Sequence, residues 1–434
     1  MLKTIYYPDP LNWAELCKRP QLDTTNLDTM IAGIFEQVKQ KGDIALKEFT
    51  LKYEKREVEN FLVDKDQLES AGRNLSTELK KAIEIAAENI LKFHTIENLQ
   101  DPVIETMSGV FCWKRKIPIE RVGIYIPGGT APLFSTVLML ALPAKLAGCS
   151  EVILCTPAEK NGKVNEAVLF TAKLAGVKTI YSVGGAQAVA AMAIGTETIP
   201  KVQKIFGPGN QYVTAAKQFA ARSYCAIDLP AGPSEVLVIA DESADPGFVA
   251  ADLLSQAEHG TDSQVILIST SEILVKEVKK SLVQQLFTLP RKTIAQEALQ
   301  NSHVILLKSL EDAMRFSNLY CPEHLIIATQ NADDLSKKVI NAGSVFVGHY
   351  SPESAGDYAS GTNHTLPTSG FAASYSAVSN ESFLKIISFQ KLTPDGLLGI
   401  GKTIELMAEA EKLEAHKEAV SIRMKKLSSK NYGL

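Results

Sequence analysis

The chain has 434 residues, of which 45% are hydrophobic and 22% are charged. A chain of this length usually forms more than one core, because single domains average roughly 100–200 residues. Basic residues number 45 and acidic residues 49, which gives a formal net charge of -4, and the two signs are interspersed. This balance excludes a disordered chain and gives no indication of a nucleic-acid or membrane-surface partner.

The most apolar stretch, around residues 136–148, is too short to span a bilayer and is interrupted by Pro143 and Lys145. The N-terminus lacks the apolar core of a secretory signal. Six scattered cysteines form no CxxC pair, which is typical of reduced thiols rather than of a disulfide framework. We therefore expect a soluble protein of the cytoplasm.

The first half of the chain predicts an N-terminal arm, two helices and then an α/β region. Residues 1–20 are aromatic and proline-rich and predict an extended arm, whereas 27–41 and 77–98 have the apolar spacing of amphipathic helices. From about residue 117, short β-branched runs alternate with alanine-rich runs. The predicted strands here are 122–126, 151–155, 179–183 and 203–206, and the predicted helices are 133–147, 164–175, 186–193 and 211–221.

The same alternation continues in a second block and ends in a single predicted terminal helix. Alternation of this kind is typical of a parallel sheet covered by helices. The predicted fold class is therefore α/β, with two Rossmann-like parallel-sheet domains, a small N-terminal arm and a helical C-terminal extension. The predicted strands are 235–240, 264–269, 304–307, 325–328 and 344–347, and the predicted helices are 245–258, 271–286 and the terminal 403–426.

Three glycine-rich turns follow strands of the first block, at 126–129, 183–187 and 206–210. In a parallel sheet such turns lie at the carboxyl ends of strands, where glycine and a helix N-terminus can admit a phosphate. No complete GxGxxG fingerprint is present. Together the turns favour a phosphate-bearing cofactor, while the alternative that the glycines only permit tight turns stays open.

Two segments suggest a metal site. Gln256 and His259 lie three residues apart at the end of a predicted helix, on one face, although a polar helix end is the more common explanation of such a pair taken alone. Residues 349–370 lack apolar periodicity but contain Asp357 and His364, and we predict a catalytic or binding loop. Asp357, His259 and Gln256 form a thiolate-free set suited to zinc, or less specifically to manganese or iron.

Candidate acids and bases occur at two further places. Glu323 and His324 immediately precede a predicted buried strand and could supply two proton-transfer groups, although a solvated loop edge is the simpler explanation of the pair taken alone. Glu411 and His416 are five residues apart in the predicted terminal helix, which is not the spacing of one helical face. For that pair a solvated helix is the default interpretation.

The residues by themselves leave three classes of function open. One is a dehydrogenase with a phosphate-bearing cofactor. A second is a zinc hydrolase with Glu323 as base, which leaves the glycine-rich turns unexplained. The third is a non-catalytic protein that binds a metal and an imidazole-bearing small molecule, which leaves the adjacent Glu323 and His324 unexplained.

Ten segments together resemble the histidinol dehydrogenase family over essentially the whole chain. The succession of SQAEHG, PEHL and SPESAGDYASGTNH is the specific part of the resemblance, because each glycine-rich piece is weak alone. The segments are VGIYIPGG, APLFSTVLMLALPA, VGGAQAVAA, KIFGPGN, DLPAGPSEVLVIAD, DLLSQAEHG, PEHLII, AGSVF, SPESAGDYASGTNHTLPT and EKLEAHKEAV.

The resemblance implies a homodimer with one Zn²⁺ per subunit that oxidises L-histidinol to L-histidine through bound L-histidinal, reducing two NAD in sequence. It implies Glu323 and His324 as catalytic residues. The implied zinc ligands are Gln256, His259, Asp357 and His416, the last supplied by the partner subunit. The implied substrate contacts are Ser234, Gln256, His259, Glu323, His324, Asp357, His364, Glu411 and His416. The implied NAD contacts are Tyr125, Gln187 and Asn210.

The resemblance also implies a mechanism and a division into domains. His324 would take the hydroxyl proton, Glu323 would activate water to attack the aldehyde, and His324 would act again as base. The two subunits would be intertwined. The predicted domains are an arm at 1–20, an α/β catalytic domain with the metal site at 21–120 and 236–370, an α/β NAD-binding domain at 121–235, and a dimerisation tail at 371–434 that contributes to the partner's site.

Overall fold

A computed structural model describes residues 2–20, 27–95, 102–128, 132–230 and 232–430. Within these ranges the chain forms fourteen strands and seventeen α-helices. The strands are β1 (Lys3–Tyr6), β2 (Ile104–Met107), β3 (Val110–Pro118), β4 (Arg121–Tyr125), β5 (Glu151–Cys155), β6 (Thr179–Tyr181), β7 (Lys204–Phe206), β8 (Ala226–Ile227), β9 (Glu235–Ala240), β10 (Gln264–Ser269), β11 (His303–Leu306), β12 (His324–Ala328), β13 (Ser344–Val347) and β14 (Leu384–Leu392).

The helices cover the sheets and form most of the C-terminal part. They are α1 (Trp13–Leu16), α2 (Leu27–Lys41), α3 (Asp43–Phe49), α4 (Lys65–Glu69), α5 (Thr77–His94), α6 (Phe134–Ala147), α7 (Glu166–Ala175), α8 (Gly185–Ile194), α9 (Gln211–Ser223), α10 (Pro246–Ala257), α11 (Glu272–Thr288), α12 (Lys292–Ala298), α13 (Leu310–Tyr320), α14 (Ala332–Ser336), α15 (Glu353–Tyr358), α16 (Pro394–Ala410) and α17 (Glu414–Lys430). None of the helices in the described ranges has the length and apolar content that a membrane span requires.

The chain divides into two compact units, which we describe separately. The first comprises residues 1–95 and 119–383, and the second comprises 96–118 and 384–434. The four-part domain division expected from the sequence stays a prediction.

The first unit contains a six-stranded parallel sheet in the order β1-β11-β10-β9-β12-β13. Every residue of β9, β10 and β12 is buried. Strands covered on both faces need apolar side chains at successive positions, which explains the uninterrupted apolar runs of the sequence. Strand β1 forms one edge of this sheet, so part of the expected N-terminal arm is an ordered strand.

The first unit also contains a five-stranded parallel sheet in the order β6-β5-β4-β7-β8. Helices α2 and α3 pack into the same apolar core as this sheet and α8. Helix α5 packs on its other face with α6 and α7. The early helices therefore cover the five-stranded sheet. The predicted fold class, two Rossmann-like parallel sheets with a helical C-terminal part, is confirmed.

Two sequence expectations are wrong within the first unit. Residues 349–370 are not a continuous irregular loop, because α15 lies inside them. The predicted helix at 245–258 ends at Ala257, so His259 lies in the turn that follows it. The last residues of the helix expected at 77–98, and Gly129 of the first glycine-rich turn, lie outside the described residues.

The second unit contains an antiparallel sheet in the order β14-β3-β2, followed by α16 and α17. This sheet was not predicted from the sequence. The sequence also predicted one terminal helix where there are two. The helices are separated at Lys412, which has a left-handed φ of 59°, and the N–H of Leu413 donates to the carbonyl of Ala408 at 2.8 Å. This bond closes α16 with a typical C-terminal cap, and the chain then begins a new helix.

Candidate metal and catalytic site

The candidate site lies at the amino-terminal edge of the six-stranded sheet. Strands β9 and β12 are neighbours, and they begin at Glu235 and His324. Helix α10 follows β9 and runs back over the sheet, so its last turn, with Gln256, returns to the same edge. Helix α15 packs against α10 and brings Asp357 close to His324. Four separate segments therefore meet at one place.

Gln256 is almost fully buried, and its two amide atoms have different surroundings. The nitrogen Nε2 donates to the carbonyl of Glu235 at 3.2 Å and lies 2.8 Å from Nδ1 of His324. The oxygen Oε1 is buried and has no hydrogen-bond partner among the described residues. A buried amide oxygen without a donor is costly unless something else binds it. Its chemistry is that of a neutral metal ligand.

Three other residues form a group with metal-ligand chemistry. One ligand atom each from His259, Glu353 and Asp357 lies within 4.8 Å of the other two. Glu353 and Asp357 are four residues apart on α15, so both carboxylates lie on one face of that helix. The sequence analysis named His259 and Asp357 but missed Glu353. The i, i+4 spacing within SPESAGDY is the signal that could have found it, had a helix been expected there.

Glu323 and His324 are both buried, and their side chains contact different partners. A carboxylate oxygen of Glu323 accepts the N–H of Glu235 at 2.8 Å. Nδ1 of His324 lies 3.0 Å from the carbonyl of Glu235, and its Nε2 lies 3.6 Å from Oδ1 of Asp357. The solvated loop edge considered for this pair is therefore wrong, because both side chains face the interior.

The pKa values in the site follow from burial and charge. Burial raises the pKa of Glu323 to about 8, against the opposing effects of His324 and the Glu235 N–H. Burial opposes the charged form of His324, but Glu353, Glu323 and Asp357 outweigh it and raise the pKa of that imidazole well above its usual value. Burial also opposes ionisation of Asp357, yet the adjacent His324 holds the pKa of that carboxyl below its usual value.

Burial also raises the pKa of two further acids of this region. Burial raises the pKa of Glu353 to about 8 and that of Asp252 to about 7. Asp252 lies one helical turn before Gln256 on α10, so it belongs to the same helix face. The site therefore contains several buried carboxyl groups whose ionised forms are destabilised. A bound cation would stabilise those ionised forms.

His364 connects this site to the other parallel sheet. Its Nδ1 lies 2.8 Å from the backbone oxygen of Asp357, and its Nε2 lies 3.0 Å from the hydroxyl of Thr136. Thr136 is in the first turn of α6, which follows β4. Nearby, the side chain of Asn363 donates to the carbonyl of Met139 at 2.6 Å. The segment that follows α15 thus contacts α6, the helix that comes after β4 of the five-stranded sheet.

Glu235 organises the site, and sequence reasoning missed it. Its backbone contacts Glu323, Gln256 and His324, as described above. Its side chain is paired with the guanidinium of Arg19, with Nε to Oε1 at 2.6 Å and Nη2 to Oε2 at 2.9 Å. Arg19 also donates to the carbonyl of Tyr320 at 2.6 Å. The N-terminal segment therefore neutralises the buried carboxylate of a residue whose backbone contacts the candidate site.

The three residues expected to contact NAD lie at the turns after β4, β6 and β7. Tyr125 ends β4 and is buried, and its hydroxyl accepts the N–H of Gly185 at 3.0 Å. Gln187 is buried in the first turn of α8. Asn210 precedes α9 and its side chain accepts two N–H groups of that helix, at 3.1 and 3.2 Å. The three turns share one edge of the sheet, which is the arrangement the sequence predicts.

The glycines of these turns allow close packing within the protein. A Cβ at Gly128 or Gly184 would lie 2.3 or 2.6 Å from side-chain atoms of Pro157, and one at Gly207 would lie 2.1 Å from the carbonyl oxygen of Tyr125. The N–H of Gly184 donates to Glu54 at 3.1 Å. At these positions the simpler explanation, glycine for a tight turn, accounts for the residue without a phosphate.

The contacts described above do not include the remaining expected residues. Ser234 immediately precedes β9 and is half-buried, and its carbonyl accepts the N–H of Gln264 at 3.1 Å. Glu411 and His416 belong to the second unit, at the end of α16 and in α17, and both are exposed. Their expected roles stay predictions.

A family model, two relatives and one solved structure all match this chain under the same family name. A family model described as histidinol dehydrogenase matches residues 17–424. A histidinol dehydrogenase of Bacteroides fragilis strain YCH46 is 54% identical over 98% of this chain and 100% of its own length. One of Haemophilus influenzae is 52% identical over 94% and 95%. A crystal structure of histidinol dehydrogenase from Elizabethkingia anophelis superposes with a TM-score of 0.95, at 54% identity, over 98% of this chain and 99% of that one.

Proposed function

The chain belongs to the histidinol dehydrogenase family of oxidoreductases, and from this premise we propose that it oxidises L-histidinol to L-histidine through enzyme-bound L-histidinal, reducing two NAD in sequence. The structural observation that carries the proposal is the burial of the adjacent Glu323 and His324 beside a group of side chains that could hold a metal ion. A dehydrogenase of this kind needs both a proton acceptor and a means of orienting its substrate.

We propose that Zn²⁺ is held by Gln256, His259 and Asp357, together with His416 of the partner subunit. The residues of this chain fit such an ion: they supply an amide oxygen, an imidazole nitrogen and a carboxylate, and the buried Oε1 of Gln256 lacks a hydrogen-bond partner among the described residues. When bound, the ion supplies positive charge that orients the imidazole and amine of the substrate, and NAD accepts the hydride of each oxidation.

His324 is proposed to take the substrate's hydroxyl proton in the first oxidation and to act again as base in the second. Its Nε2 is buried and has no hydrogen-bond partner within the described part of the chain, so one ring nitrogen is free to exchange a proton. The other, Nδ1, lies 3.0 Å from the Glu235 carbonyl, which fixes the orientation of the ring.

The proton affinity of His324 also supports this assignment. The carboxylates of Glu353, Glu323 and Asp357 raise its pKa. Asp357 is one of the proposed metal ligands, and positive charge bound there would bring the pKa of His324 down toward neutrality. A base works best when its pKa is close to the working pH. Binding of the metal and the strength of His324 as a base would therefore be linked through Asp357.

Glu323 is proposed to activate the water that attacks the bound aldehyde. Burial raises the pKa of this carboxyl to about 8, a value suited to proton transfer near neutral pH. The N–H of Glu235 holds one of its oxygens at 2.8 Å. Keeping the aldehyde in an enclosed site would protect it from side reactions.

We further propose that NAD binds along the edge of the five-stranded sheet, contacting Tyr125, Gln187 and Asn210, and that Ser234, His364 and Glu411 help to hold the substrate. The hydrogen bond between Thr136 and His364 supports this, because it joins α6, which begins near that edge, to a residue whose other ring nitrogen contacts the backbone of Asp357. The protein is proposed to be a homodimer with shared sites. A cytoplasmic location is supported by six cysteines that form no disulfide.

The test is the absorbance of NADH formed by the zinc-loaded protein from L-histidinol with excess NAD. We expect about two NADH per histidinol, as two sequential hydride transfers require. A yield of one would mean that the aldehyde escapes, which would contradict the role of Glu323. No NADH from protein with its metal confirmed bound would reject the proposed reaction and favour a related amino alcohol, or the hydrolase interpretation.

A further inference from the structure

A buried ion pair in the first unit has no part in the proposed mechanism. It joins Lys217 of α9 to Asp228, which follows β8, and Nζ of the lysine lies 2.5 Å from Oδ1 of the aspartate. The two side chains are 4% and 0% exposed. Apolar side chains of similar volume usually hold a core together as well as a buried ion pair does. A general contribution to stability therefore does not explain this pair.

The pair holds both backbone polar groups of Gly207. Oδ2 of Asp228 accepts the N–H of Gly207 at 2.8 Å, and Nζ of Lys217 donates to the carbonyl oxygen of Gly207 at 2.7 Å. The same carboxylate accepts the N–H of Leu229 at 2.7 Å, which fixes its orientation. Hydrogen bonds with a charged partner are about twice as strong as neutral ones. Both charges therefore act on one residue, the first of the turn 207–210.

Gly207 needs this support from outside because it cannot carry a side chain. Its φ is 126°, and a Cβ there would lie 2.1 Å from the carbonyl oxygen of Tyr125. The turn therefore packs directly against the end of β4. Glycine allows this approach but is also the residue with the most backbone freedom. The ion pair restricts that freedom and favours the conformation in which the turn packs against β4.

We propose that Lys217 and Asp228 are positioning residues for the nucleotide cofactor, acting through Gly207. The inference rests on the proposed function, because Tyr125 and Asn210 are proposed NAD contacts. Gly207 packs against the first of these and lies three residues before the second. Holding Gly207 sets the distance between the two contacts before NAD arrives. A preformed site binds more tightly, because less conformational freedom is lost on binding.

Two double variants remove these contacts to different degrees. Lys217→Met with Asp228→Leu replaces both charges by apolar groups of similar size and leaves neither backbone group of Gly207 with its partner. Lys217→Met with Asp228→Asn keeps an amide oxygen that can accept the N–H of Gly207. Neither variant leaves an unpaired buried charge, which is the costly case. Both should therefore fold, and thermal unfolding of the zinc-loaded proteins checks this.

The experiment is a fluorescence titration of NADH into the full-length, zinc-loaded protein. We expect Lys217→Met with Asp228→Leu to weaken NADH binding roughly 10- to 100-fold, because a displacement of about 1 Å in a binding site can cost that much. The variant with Asp228→Asn should lie between this protein and the wild type. Zinc affinity, measured by competition with a chromophoric chelator, should be unchanged. In turnover assays the KM for NAD should rise, while kcat at saturating NAD changes only a few-fold.

The control is an ion pair at the opposite edge of the same sheet. Arg121 begins β4 and Glu151 begins β5, and Nε of the arginine contacts a carboxylate oxygen of the glutamate. Arg121→Met with Glu151→Gln therefore removes an ion pair that links two strands at their amino ends, away from the turns. The NADH affinity of this protein should equal that of the wild type.

Three results would overturn the inference. One is wild-type NADH affinity in a folded Lys217→Met, Asp228→Leu protein or, should that protein not fold, in the one with Asp228→Asn. The second is an equal loss in the Arg121→Met, Glu151→Gln protein, since the sheet rather than the turn would then be responsible. The third is a parallel loss of zinc affinity, which would indicate a general distortion. Failure of the zinc-loaded wild type itself to bind NADH is a different outcome, because it would reject the proposed function and this inference together.

Discussion

At the scale of single residues, Glu323 and His324 are neighbours in sequence but have different partners. The carboxylate of Glu323 accepts a backbone N–H, whereas the imidazole of His324 contacts a backbone carbonyl and lies near Asp357. This difference follows from their place at the start of β12, where successive side chains leave the strand in different directions. Two distinct chemical roles are therefore available to two adjacent residues.

These roles predict different kinetic effects. His324→Ala should slow the oxidation of both L-histidinol and L-histidinal, by roughly 10²- to 10⁴-fold, because both steps need a base. Glu323→Gln should slow the oxidation of L-histidinal by a similar factor but leave the oxidation of the alcohol largely intact. Single-turnover NADH formation with each substrate measures this. Near-normal turnover by His324→Ala, or loss of the alcohol step in Glu323→Gln, would contradict the assignments.

His94 predicts a pH effect on stability, away from the site. It ends α5, is 3% exposed, and its Nε2 has no hydrogen-bond partner in the described ranges. Burial lowers the pKa of its imidazole. The unfolded chain, with a histidine pKa of about 6.5, therefore binds the proton first as the pH falls. Above about pH 6.5, protonation of His94 takes nothing from the free energy of unfolding. Below that pH the free energy of unfolding falls, until the pH reaches the lower pKa that His94 has in the folded protein.

The expected result is that the wild type loses more unfolding free energy than His94→Gln when the pH is lowered from 8 to 5. Urea denaturation at both pH values measures this difference. Burial also lowers the pKa of His303, so His94→Gln should still lose some free energy of unfolding when the pH is lowered. Equal losses in the two proteins would show that His94 is not the group responsible.

At the scale of elements, an ion pair adds to the pairing of β1 with β11 in holding the N-terminal segment to the six-stranded sheet. Arg19 and Glu235 have side chains only 18% and 2% exposed, and Glu235 also accepts the N–H of Ser369 at 2.7 Å. Arg19→Ala would leave a buried carboxylate without its cation, which typically costs about 3–5 kcal/mol. We expect that loss in the free energy of unfolding, measured by urea denaturation, with a smaller loss for Arg19→Lys.

The control for this prediction is an ion pair of similar chemistry but greater exposure. Arg315 pairs with Asp312 at 3.1 Å, and the two side chains are 62% and 33% exposed. Because solvent screens such pairs, Arg315→Ala should cost less than about 1 kcal/mol. A loss for Arg19→Ala no larger than for Arg315→Ala would mean that Glu235 is compensated in another way.

The bounds of several strands could be predicted from sequence patterns alone. The predicted strands 151–155, 235–240, 264–269 and 344–347 have the observed bounds, because buried strands of a parallel sheet leave an unbroken apolar signature. Helix α15 was missed because its six residues contain glycine and serine and show no apolar period. The break at Lys412 was missed because a left-handed lysine has no sequence signature comparable to glycine.

At the scale of the whole molecule, the proposed shared site predicts complementation between subunits. His259→Ala and His416→Ala should each be inactive alone. Mixed by unfolding and refolding, they should regain up to about one quarter of wild-type activity, since half the dimers are hybrids and each hybrid has one intact site. The measurement is NADH formation, with subunit exchange proved by tagged chains. No recovery despite exchange would contradict a site shared between subunits.

The sequence by itself determined the family and most strands and covering helices of the two parallel sheets. Its alternating apolar runs specify parallel strands and covering helices, because each strand's burial is recorded in its own residues. Its motifs also supply the residues that we propose to carry the chemistry. What they cannot specify is the order of strands, since neighbours in the sheet, such as β9 and β12, are about 90 residues apart in sequence.

Only the tertiary structure decided which side chains meet. Strand order brings the start of β12 beside the start of β9, the return of α10 adds Gln256 and His259, and α15 adds Glu353 with Asp357. It also decided that Glu235 is neutralised by Arg19, some 216 residues away. The physical reason is that burial and charge compensation depend on distances in space, and a buried carboxylate looks the same in sequence as an exposed one.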